Sequence, residues 1–207
     1  MLIPLHQLVQ KYNIQFSGIL HVGAHECEEL AEYEKYISRD KILWVEALPG
    51  KVDLCKARYP GILIESAIVS DTIEKVTFKV SNNGQSSSIL DFGLHSQYHP
   101  HVHYVTTFEA QTSLLKNILP KYNIDYNFLN FDIQGAELKA LKGMEEYLHK
   151  VDYLYTEVNS DYVYKDCALV IELDAYLSQF GLVRVETSWT DCKWGDAFYI
   201  RNSLLLK

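Results

Sequence analysis

The chain has 207 residues, and its 48% hydrophobic and 22% charged content is typical of a globular protein. A formal net charge of −8 disfavours a nucleic-acid partner, because phosphate binding normally requires a basic surface. No apolar run approaches the roughly 20 residues of a membrane-spanning helix, and residues 1–10 lack the basic region of a signal peptide. The 4 cysteines form no Cys-x-x-Cys pair, so we expect reduced thiols, no structural zinc and a cytoplasmic protein.

Helices and strands alternate in residues 1–66. Apolar periodicity predicts helices over residues 1–14, 27–37 and 49–59, and strands over residues 18–22, 42–46 and 62–66. Proline suits a first helical turn, so Pro49 marks the start of the third helix. This β-α-β-α-β order builds a parallel sheet that is covered by helices.

The rest of the chain is more varied. Residues 75–80 alternate like an edge strand, residues 81–84 (Ser-Asn-Asn-Gly) favour a turn, and residues 86–90 and 104–108 are short extended pieces. A helix that ends near Leu119 comes next. We then expect strands over residues 128–132 and 153–158, helices over residues 136–148 and 168–180, and an antiparallel pair over residues 182–187 and 197–200. No repeat or linker interrupts this order, so we expect one domain over residues 1–207, with residues 1–16 as a helical extension.

Two strand ends indicate a nucleoside-bearing ligand. The first strand ends in Val22-Gly23-Ala24, where glycine permits a tight turn and close approach of a ligand. Glu46 ends the second strand, where a carboxylate can accept hydrogen bonds from ribose hydroxyls. The alternative is a plain strand–turn–helix with Glu46 as a solvated strand end, and these two features leave both interpretations open.

The most informative stretch is residues 128–137 (Phe-Leu-Asn-Phe-Asp-Ile-Gln-Gly-Ala-Glu). It predicts a buried strand that places Asp132 at its carboxyl end and then turns through a glycine into a helix. In an open α/β sheet this edge binds ligands, so Asp132 is a candidate for the reactive centre.

These motifs together resemble the FkbM-type methyltransferases, which use S-adenosylmethionine (SAM). The resemblance runs from about residue 18 to residue 200. It rests on residues 22–25 (Val-Gly-Ala-His), 44–47 (Trp-Val-Glu-Ala), 66–71 (Ser-Ala-Ile-Val-Ser-Asp), 83–88 (Asn-Gly-Gln-Ser-Ser-Ser), 128–137 and 194–200 (Trp-Gly-Asp-Ala-Phe-Tyr-Ile). The chain departs from the family pattern at His25 (usually Asn), Cys27 (usually Gly) and Gln134 (Glu). We expect Gln134 to be structural, as a cap of the following helix.

The resemblance implies a fold and an activity. The fold is a class I SAM-methyltransferase (Rossmann-like) α/β sheet of seven mostly parallel strands with helices on both faces. A closing antiparallel hairpin ends it, and extra short strands lie between residues 75 and 108. The activity is methylation of a hydroxyl group on a sugar or glycan, including nucleotide sugars and deoxysugars. An association with glycosyltransferases fits such a role, and the sequence does not indicate an oligomeric state.

The resemblance also assigns roles to residues. Gly23 and Ala24 would face the methionine part of SAM, and Glu46, followed by Ala47, the ribose. The remaining cofactor-binding candidates are as follows: Ala67 and Ile68 for the adenine, Ser86 and Ser87 for the carboxylate or ribose, Asp132 and Ile133 for the sulfonium, and His25 for the carboxylate or the substrate.

Methyl transfer from a sulfonium is an in-line displacement that needs mainly alignment, but a sugar hydroxyl needs help to lose its proton. Asp132 is the first candidate for the base or for a ligand of a divalent cation such as Mg²⁺, and Glu157 is the second. His25 is a further catalytic candidate, without a metal role. Asp132 and Glu157 could share a cation with Asp161 or Asn159 through oxygen ligands. Glu157 is equally consistent with a capping or substrate-binding carboxylate.

The 8 histidines and 15 tyrosines add weaker signals. His95, His99, His101 and His103 could form a transition-metal site or supply a base, but Pro100 favours a polar loop. Tyr162, Tyr164, Trp189 and Trp194 fall near the expected pocket rim, and such rings stack on sugar faces.

Three other hypotheses stay open. The first is a catalytically weakened SAM-binding scaffold, which the departures at Cys27 and Gln134 motivate. The second is a methyltransferase for another small-molecule, protein or RNA acceptor, although the acidic charge disfavours RNA. A NAD-binding dehydrogenase is the weakest of the three, since it leaves the Asp132 motif unexplained.

Overall fold

The computed structural model describes residues 1–205. Its ten strands, in chain order, are β1 (Ile19–Val22), β2 (Ile42–Glu46), β3 (Leu63–Ser66), β4 (Ile68–Val69), β5 (Lys75–Ser81), β6 (Tyr104–Ser113), β7 (Phe128–Phe131), β8 (Tyr153–Asn159), β9 (Leu182–Trp189) and β10 (Trp194–Arg201). Seven of them form the main sheet in the order β3-β2-β1-β7-β8-β10-β9. The other three form a smaller sheet in the order β4-β6-β5.

The main sheet is parallel except at one end. β1 pairs in parallel with β2 and β7, and β10 runs antiparallel to both β8 and β9. Every residue of β1, β2 and β7 is buried, the pattern of strands that are covered on both faces. The predicted seven-stranded, mostly parallel sheet with a closing hairpin is confirmed.

Helices cover both faces of this sheet. They are α1 (Leu5–Tyr12), α2 (Leu30–Tyr33), α3 (Pro49–Arg58), α4 (His95–Tyr98), α5 (Leu115–Ile118), α6 (Glu137–Lys142), α7 (Val170–Ser178) and α8 (Asn202–Leu205). Successive strand residues point to opposite faces. Leu20 and Leu43 therefore pack with α5, α6 and α7, whereas Ile19 and Ile42 pack with α1, α2 and α3.

The register brings four strand ends to one edge. Val22 at the end of β1 lies opposite Val45 of β2 and Phe131 of β7, and Phe131 lies opposite Thr156 of β8. The residues that follow these positions therefore meet at the carboxyl edge of the sheet.

The smaller sheet differs from the prediction. β6 continues to Ser113 instead of ending at residue 108, and β4 was not predicted. The short extended piece predicted over residues 86–90 does not form a strand. Only a single bridge joins Ser88 to Lys79, because the side chains of this segment hydrogen-bond within a loop instead of forming a ladder.

Several predicted helices are shorter. The helix expected over residues 27–37 is reduced to α2, because Cys27 has a left-handed φ of 58° that a helix cannot contain. The helix expected over residues 136–148 ends at Lys142. A separate 3-10 helix (Glu145–Lys150) comes next, and its first residue, Glu145, has a left-handed φ of 49°. Among residues 1–205 no helix has the length and apolar character that crossing a bilayer requires.

Candidate active site

Two adjoining cavities open at the carboxyl edge of the main sheet. The first has a volume of about 70 Å³ and lies over the ends of β1, β2 and β3. The second has a volume of about 450 Å³ and lies toward β8 and β10. The residues that line both cavities are Gly23, His25, Gln85, Asp132 and Gln134. This shared wall is where a molecule in one cavity would meet a molecule in the other.

Gly23 allows β1 and β7 to approach each other at the shared wall. Its φ is 93°, and a Cβ atom at this position would lie 1.8 Å from the carbonyl oxygen of Asp132. The Gly23 amide donates to the Val45 carbonyl at 2.9 Å, which ties the turn to β2. Only glycine combines this backbone angle with this contact.

Glu46 is buried at the end of β2, so it is not a solvated strand end. Its Oε2 accepts the backbone N–H of His25 at 2.7 Å, and its Oε1 accepts the N–H of Leu48 at 2.8 Å. Burial raises its pKa, against these hydrogen bonds. Each carboxylate oxygen keeps a lone pair for a ligand in the first cavity.

His25 has a left-handed φ of 44°, and its ring lies between the two cavities. Its Nδ1 lies 2.6 Å from Oε1 of Glu28. Its Nε2 is buried and has no hydrogen-bond partner among the described residues. Buried polar atoms are normally paired, so this nitrogen is a candidate ligand contact.

Asp132 follows β7 and Glu157 lies within β8, each one residue beyond the Phe131–Thr156 pair, and the side chain of Gln134 lies between them. The Gln134 amide nitrogen donates to Asp132 Oδ1 at 2.6 Å and to Glu157 Oε2 at 2.9 Å. Its amide oxygen accepts the hydroxyl of Tyr164 at 2.5 Å. The expectation that Gln134 caps the following helix is therefore wrong, since it joins the two carboxylates instead.

The surroundings raise the pKa values of both carboxylates. Asp132 is open to the cavities but surrounded by protein on its other sides, and this desolvation raises its pKa to about 6. Glu157 is buried, and burial together with the nearby Asp132 charge raises its pKa well above the ordinary value. Of the two carboxyl groups, Asp132 is thus the one with a pKa of about 6, close to the neutral pH at which a general base works.

The residues do not fit a divalent cation between Asp132 and Glu157. A cation there needs oxygen ligands, but the Gln134 amide places N–H donors between the two carboxylates. Within residues 1–205 no group of three or more His, Cys, Asp or Glu side chains is arranged to hold a metal ion. The predicted metal role of Asp132 and Glu157 is therefore not supported, and the same holds for a metal at His95, His99, His101 and His103.

Glu137 supports the turn between Asp132 and α6, a role that the sequence did not indicate. Its Oε1 accepts the backbone N–H groups of Ile133 at 2.9 Å and Gly135 at 3.1 Å. Burial raises its pKa to about 7. Three Glu or Gln side chains lie near the carboxyl ends of β7 and β8, namely Gln134, Glu137 and Glu157. Their spacing in the sequence does not indicate which of them accepts hydrogen bonds from the backbone.

Residues of β5 and of the loop between β5 and β6 cover the first cavity, and we call them the roof. Its residues are Phe78, Gly84, Gln85, Ser87 and Ile89. The Ser87 hydroxyl donates to the Gly84 carbonyl at 2.7 Å, so it holds the loop together.

The remaining predicted cofactor-binding residues are divided among three places. Ala47, Ala67, Ile68 and Ile133 line the first cavity, and Ser86 lines the second. Ala24 is buried outside both linings, and its N–H donates to Val45.

Cys27 also lies outside both linings. It is buried, and its Sγ lies 3.4 Å from Sγ of Cys55 beneath the His25 turn. Burial raises the pKa of the Cys27 thiol, which therefore stays protonated. The departure at Cys27 thus affects the support of the turn and not the cavity wall.

Aromatic rings and histidines line the second cavity. The predicted polar loop is partly helix α4, which places His95 against Phe92 with ring centroids 4.2 Å apart. Burial lowers the pKa of His95 to about 4, so the ring is neutral. Of the aromatic candidates, Tyr164 and Trp194 line this cavity, whereas Tyr162 and Trp189 are exposed outside it. His99 and His101 also line the cavity, and His103 does not.

Comparisons with known proteins agree with this geometry. A family model described as "Methyltransferase FkbM domain" matches residues 21–183. A search of curated proteins finds no match.

Among solved structures, a SAM-dependent methyltransferase from Clostridium acetobutylicum shares 7% identity at a TM-score of 0.53, with 95% of this chain and 88% of that chain covered. Magnesium protoporphyrin IX methyltransferase from Synechocystis, with bound SAM, shares 8% identity at a TM-score of 0.52, with 95% and 76% covered. An amino pentose methyltransferase from Micromonospora echinaspora, also with bound SAM, shares 8% identity at a TM-score of 0.50, with 95% and 88% covered. These structures share the fold.

Proposed function

Because the chain belongs to the FkbM family of SAM-dependent methyltransferases, we propose that it transfers the methyl group of SAM to a hydroxyl group of a sugar or glycan. The observation that carries the proposal is the position of Asp132 in the wall shared by the two cavities. One cavity then holds the methyl donor, the other holds the acceptor, and the candidate base lies where they meet.

The chemistry of its lining, and not its volume of about 70 Å³, relates the first cavity to SAM. The close approach at Gly23 leaves room beside β1, and Glu46 has free lone pairs for the two ribose hydroxyls. Ala67, Ile68 and Phe78 supply an apolar surface for an adenine ring. When bound, SAM supplies a methyl group on a positively charged sulfur, an electrophile that needs no further activation.

Asp132 activates the acceptor in this proposal. Its Oδ1 is engaged by Gln134, whereas its Oδ2 accepts no hydrogen bond from the described residues. With a pKa of about 6, the carboxylate is ionised at neutral pH and would accept the hydroxyl proton on Oδ2. The C–O bond would form as the bond between the methyl carbon and sulfur breaks, and S-adenosylhomocysteine would leave. Glu157 lines the second cavity beside Asp132, where it can hydrogen-bond the acceptor and orient the attacking oxygen.

The second cavity suits a sugar. Its volume of about 450 Å³ is within the range of small-molecule sites. Trp194 and Tyr164 offer flat surfaces for a sugar ring, and Glu157, His99 and Asn83 offer polar contacts to hydroxyl groups. The amino pentose methyltransferase named above supports the view that this fold accepts a sugar beside SAM.

The test combines SAM with a panel of free, amino, deoxy and nucleotide-linked sugars and measures S-adenosylhomocysteine formation. We expect turnover with at least one sugar and a decrease of about 10²- to 10⁴-fold in kcat for Asp132→Asn, since it removes the base. Asp166→Asn is the matched control, because Asp166 is exposed outside both cavities. SAM binding without turnover on any sugar would instead favour the catalytically weakened scaffold or another acceptor class.

A further inference from the structure

We propose that His25, held by Glu28, binds the carboxylate of the methionine part of SAM. The inference rests on the proposed function, because it requires SAM in the first cavity. It assigns Glu28 a role as a positioning residue, and it decides among the roles that the sequence left open for His25, which are a contact of the cofactor carboxylate, a contact of the substrate and a base.

The direction of the cofactor places its carboxylate near His25. With the ribose at Glu46 and the adenine at Ala67, the methionine part extends away from both, toward Gly23 and the shared wall. The His25 ring lies in that wall, one turn after Gly23. The same residue donates its backbone N–H to Glu46 at 2.7 Å, so the proposed ribose and carboxylate contacts are rigidly linked.

The charges of the lining favour His25 as the contact of a carboxylate. A carboxylate needs positive charge or N–H donors, and among the described residues of the first cavity none is Lys or Arg. The charged residues there are Glu46 and Asp132, which repel an anion. Lys51 lies close to Gly84, but its ammonium is paired with Glu26 at 2.6 Å, and Lys51 lines neither cavity. His25 is therefore the one side chain in this lining that can carry a positive charge.

The hydrogen bonds of the ring leave Nε2 available. Nδ1 donates to Glu28 Oε1 at 2.6 Å, and Glu28 Oε2 accepts the backbone N–H of Glu26 at 3.1 Å, which fixes the carboxylate. Nε2 is buried beside Gly84 and has no partner in residues 1–205. In the proposed complex the ring donates from both nitrogens, with Nδ1–H directed to Glu28 and Nε2–H to the bound carboxylate, so it joins the two carboxylates.

The test measures calorimetric binding of SAM and of decarboxylated SAM, which keeps the sulfonium and the amine but lacks the carboxylate. The proteins are the wild type, His25→Asn, Glu28→Gln and Glu46→Gln. Asparagine tolerates the left-handed backbone of position 25, so this variant keeps the turn while shortening the donor. Circular dichroism checks that each variant is folded.

We expect the wild type to prefer SAM over decarboxylated SAM by about 10- to 100-fold, the size of one charge-assisted hydrogen bond. His25→Asn should remove this preference by weakening SAM binding alone, and Glu28→Gln should reduce it in the same direction. Glu46→Gln should weaken the binding of both ligands, because Glu46 serves the ribose that both ligands share.

Two results separate failure of this inference from failure of the proposed function. If the wild type binds both ligands equally, or if His25→Asn weakens both by the same factor, the carboxylate assignment is overturned while SAM binding stands. If His25→Asn lowers kcat with unchanged affinity for both ligands, His25 acts as a base and the inference is wrong. If the wild type binds neither ligand, the proposed function fails and the inference fails with it.

Discussion

The amide nitrogen of Gln134 lies 2.6 Å from Oδ1 of Asp132. The same nitrogen donates to Glu157, so a neutral side chain separates two carboxylates that would otherwise repel each other at close range. Where the family motif has Glu, this chain thus has an amide that limits the negative charge around Asp132. This arrangement makes the ionisation of Asp132 dependent on Gln134.

Gln134→Glu should raise the pKa of Asp132 further, because it replaces a hydrogen-bond donor with a third carboxylate. The acid limb of the pH dependence of kcat/KM should move to higher pH. Gln134→Met removes the donor without adding charge, so it should move the limb in the same direction but less. An unchanged limb in both variants would show that Gln134 does not control Asp132.

The pH dependence of the wild type should follow the ionisation of Asp132. Burial raises the pKa of Asp132 to about 6, and the ionised form is the proposed base. Activity should therefore decrease about tenfold per pH unit below pH 6 and become constant above it. Asp132→Asn should abolish this limb in its residual activity, as measured by S-adenosylhomocysteine formation from pH 4.5 to 8. A limb that persists in the variant would assign the base to another residue.

Trp194→Ala should raise the KM for the sugar acceptor by about 3- to 10-fold, the value of one aromatic contact, without changing SAM affinity. Trp194 lines the second cavity, whereas Trp189 is 43% exposed outside it. Trp189→Ala is therefore the matched control and should leave the acceptor KM unchanged. Equal effects of the two substitutions would place the sugar elsewhere.

Tyr33→Phe should destabilise the fold by about 1–3 kcal/mol, because it removes the partner of two buried groups. The Tyr33 hydroxyl accepts from Asn130 Nδ2 at 2.7 Å and lies 3.1 Å from His21 Nδ1. Urea unfolding measures the free energy of unfolding. Tyr162→Phe, at an exposed position, is the control and should change this free energy by less than about 0.5 kcal/mol.

The loss of unfolding free energy caused by Tyr33→Phe should be the same at every pH between pH 5 and pH 8. Burial lowers the pKa of His21 to about 3, so the ring is neutral over this interval in the folded protein. A destabilisation that grows or shrinks across this range would indicate that His21 is charged in the fold.

The strand ends could be predicted from the sequence because parallel strands place their carboxyl ends together. Glu46, Asp132 and Glu157 follow apolar runs of strand length, and their neighbourhood follows from that topology. The roles of Gln134 and Glu28 could not be predicted. They depend on left-handed backbone at Gln134 (φ 58°) and His25 (φ 44°), residues whose type does not require that conformation.

The smaller sheet shows a second limit of sequence reasoning. β5 and β6 pair over their full lengths, from Lys75 opposite Gln111 to Ser81 opposite Tyr104. β6 is largely exposed, so it lacks the apolar run that marks a buried strand. Its pairing partner, not its own composition, determines its length.

The roof over the first cavity separates two kinds of change. Gly84, Gln85 and Ser87 belong to a loop outside the main sheet, whereas Glu46 and Asp132 lie at the edge of that sheet. Substitutions in the loop can therefore alter the wall of the cavity without altering Glu46 or Asp132.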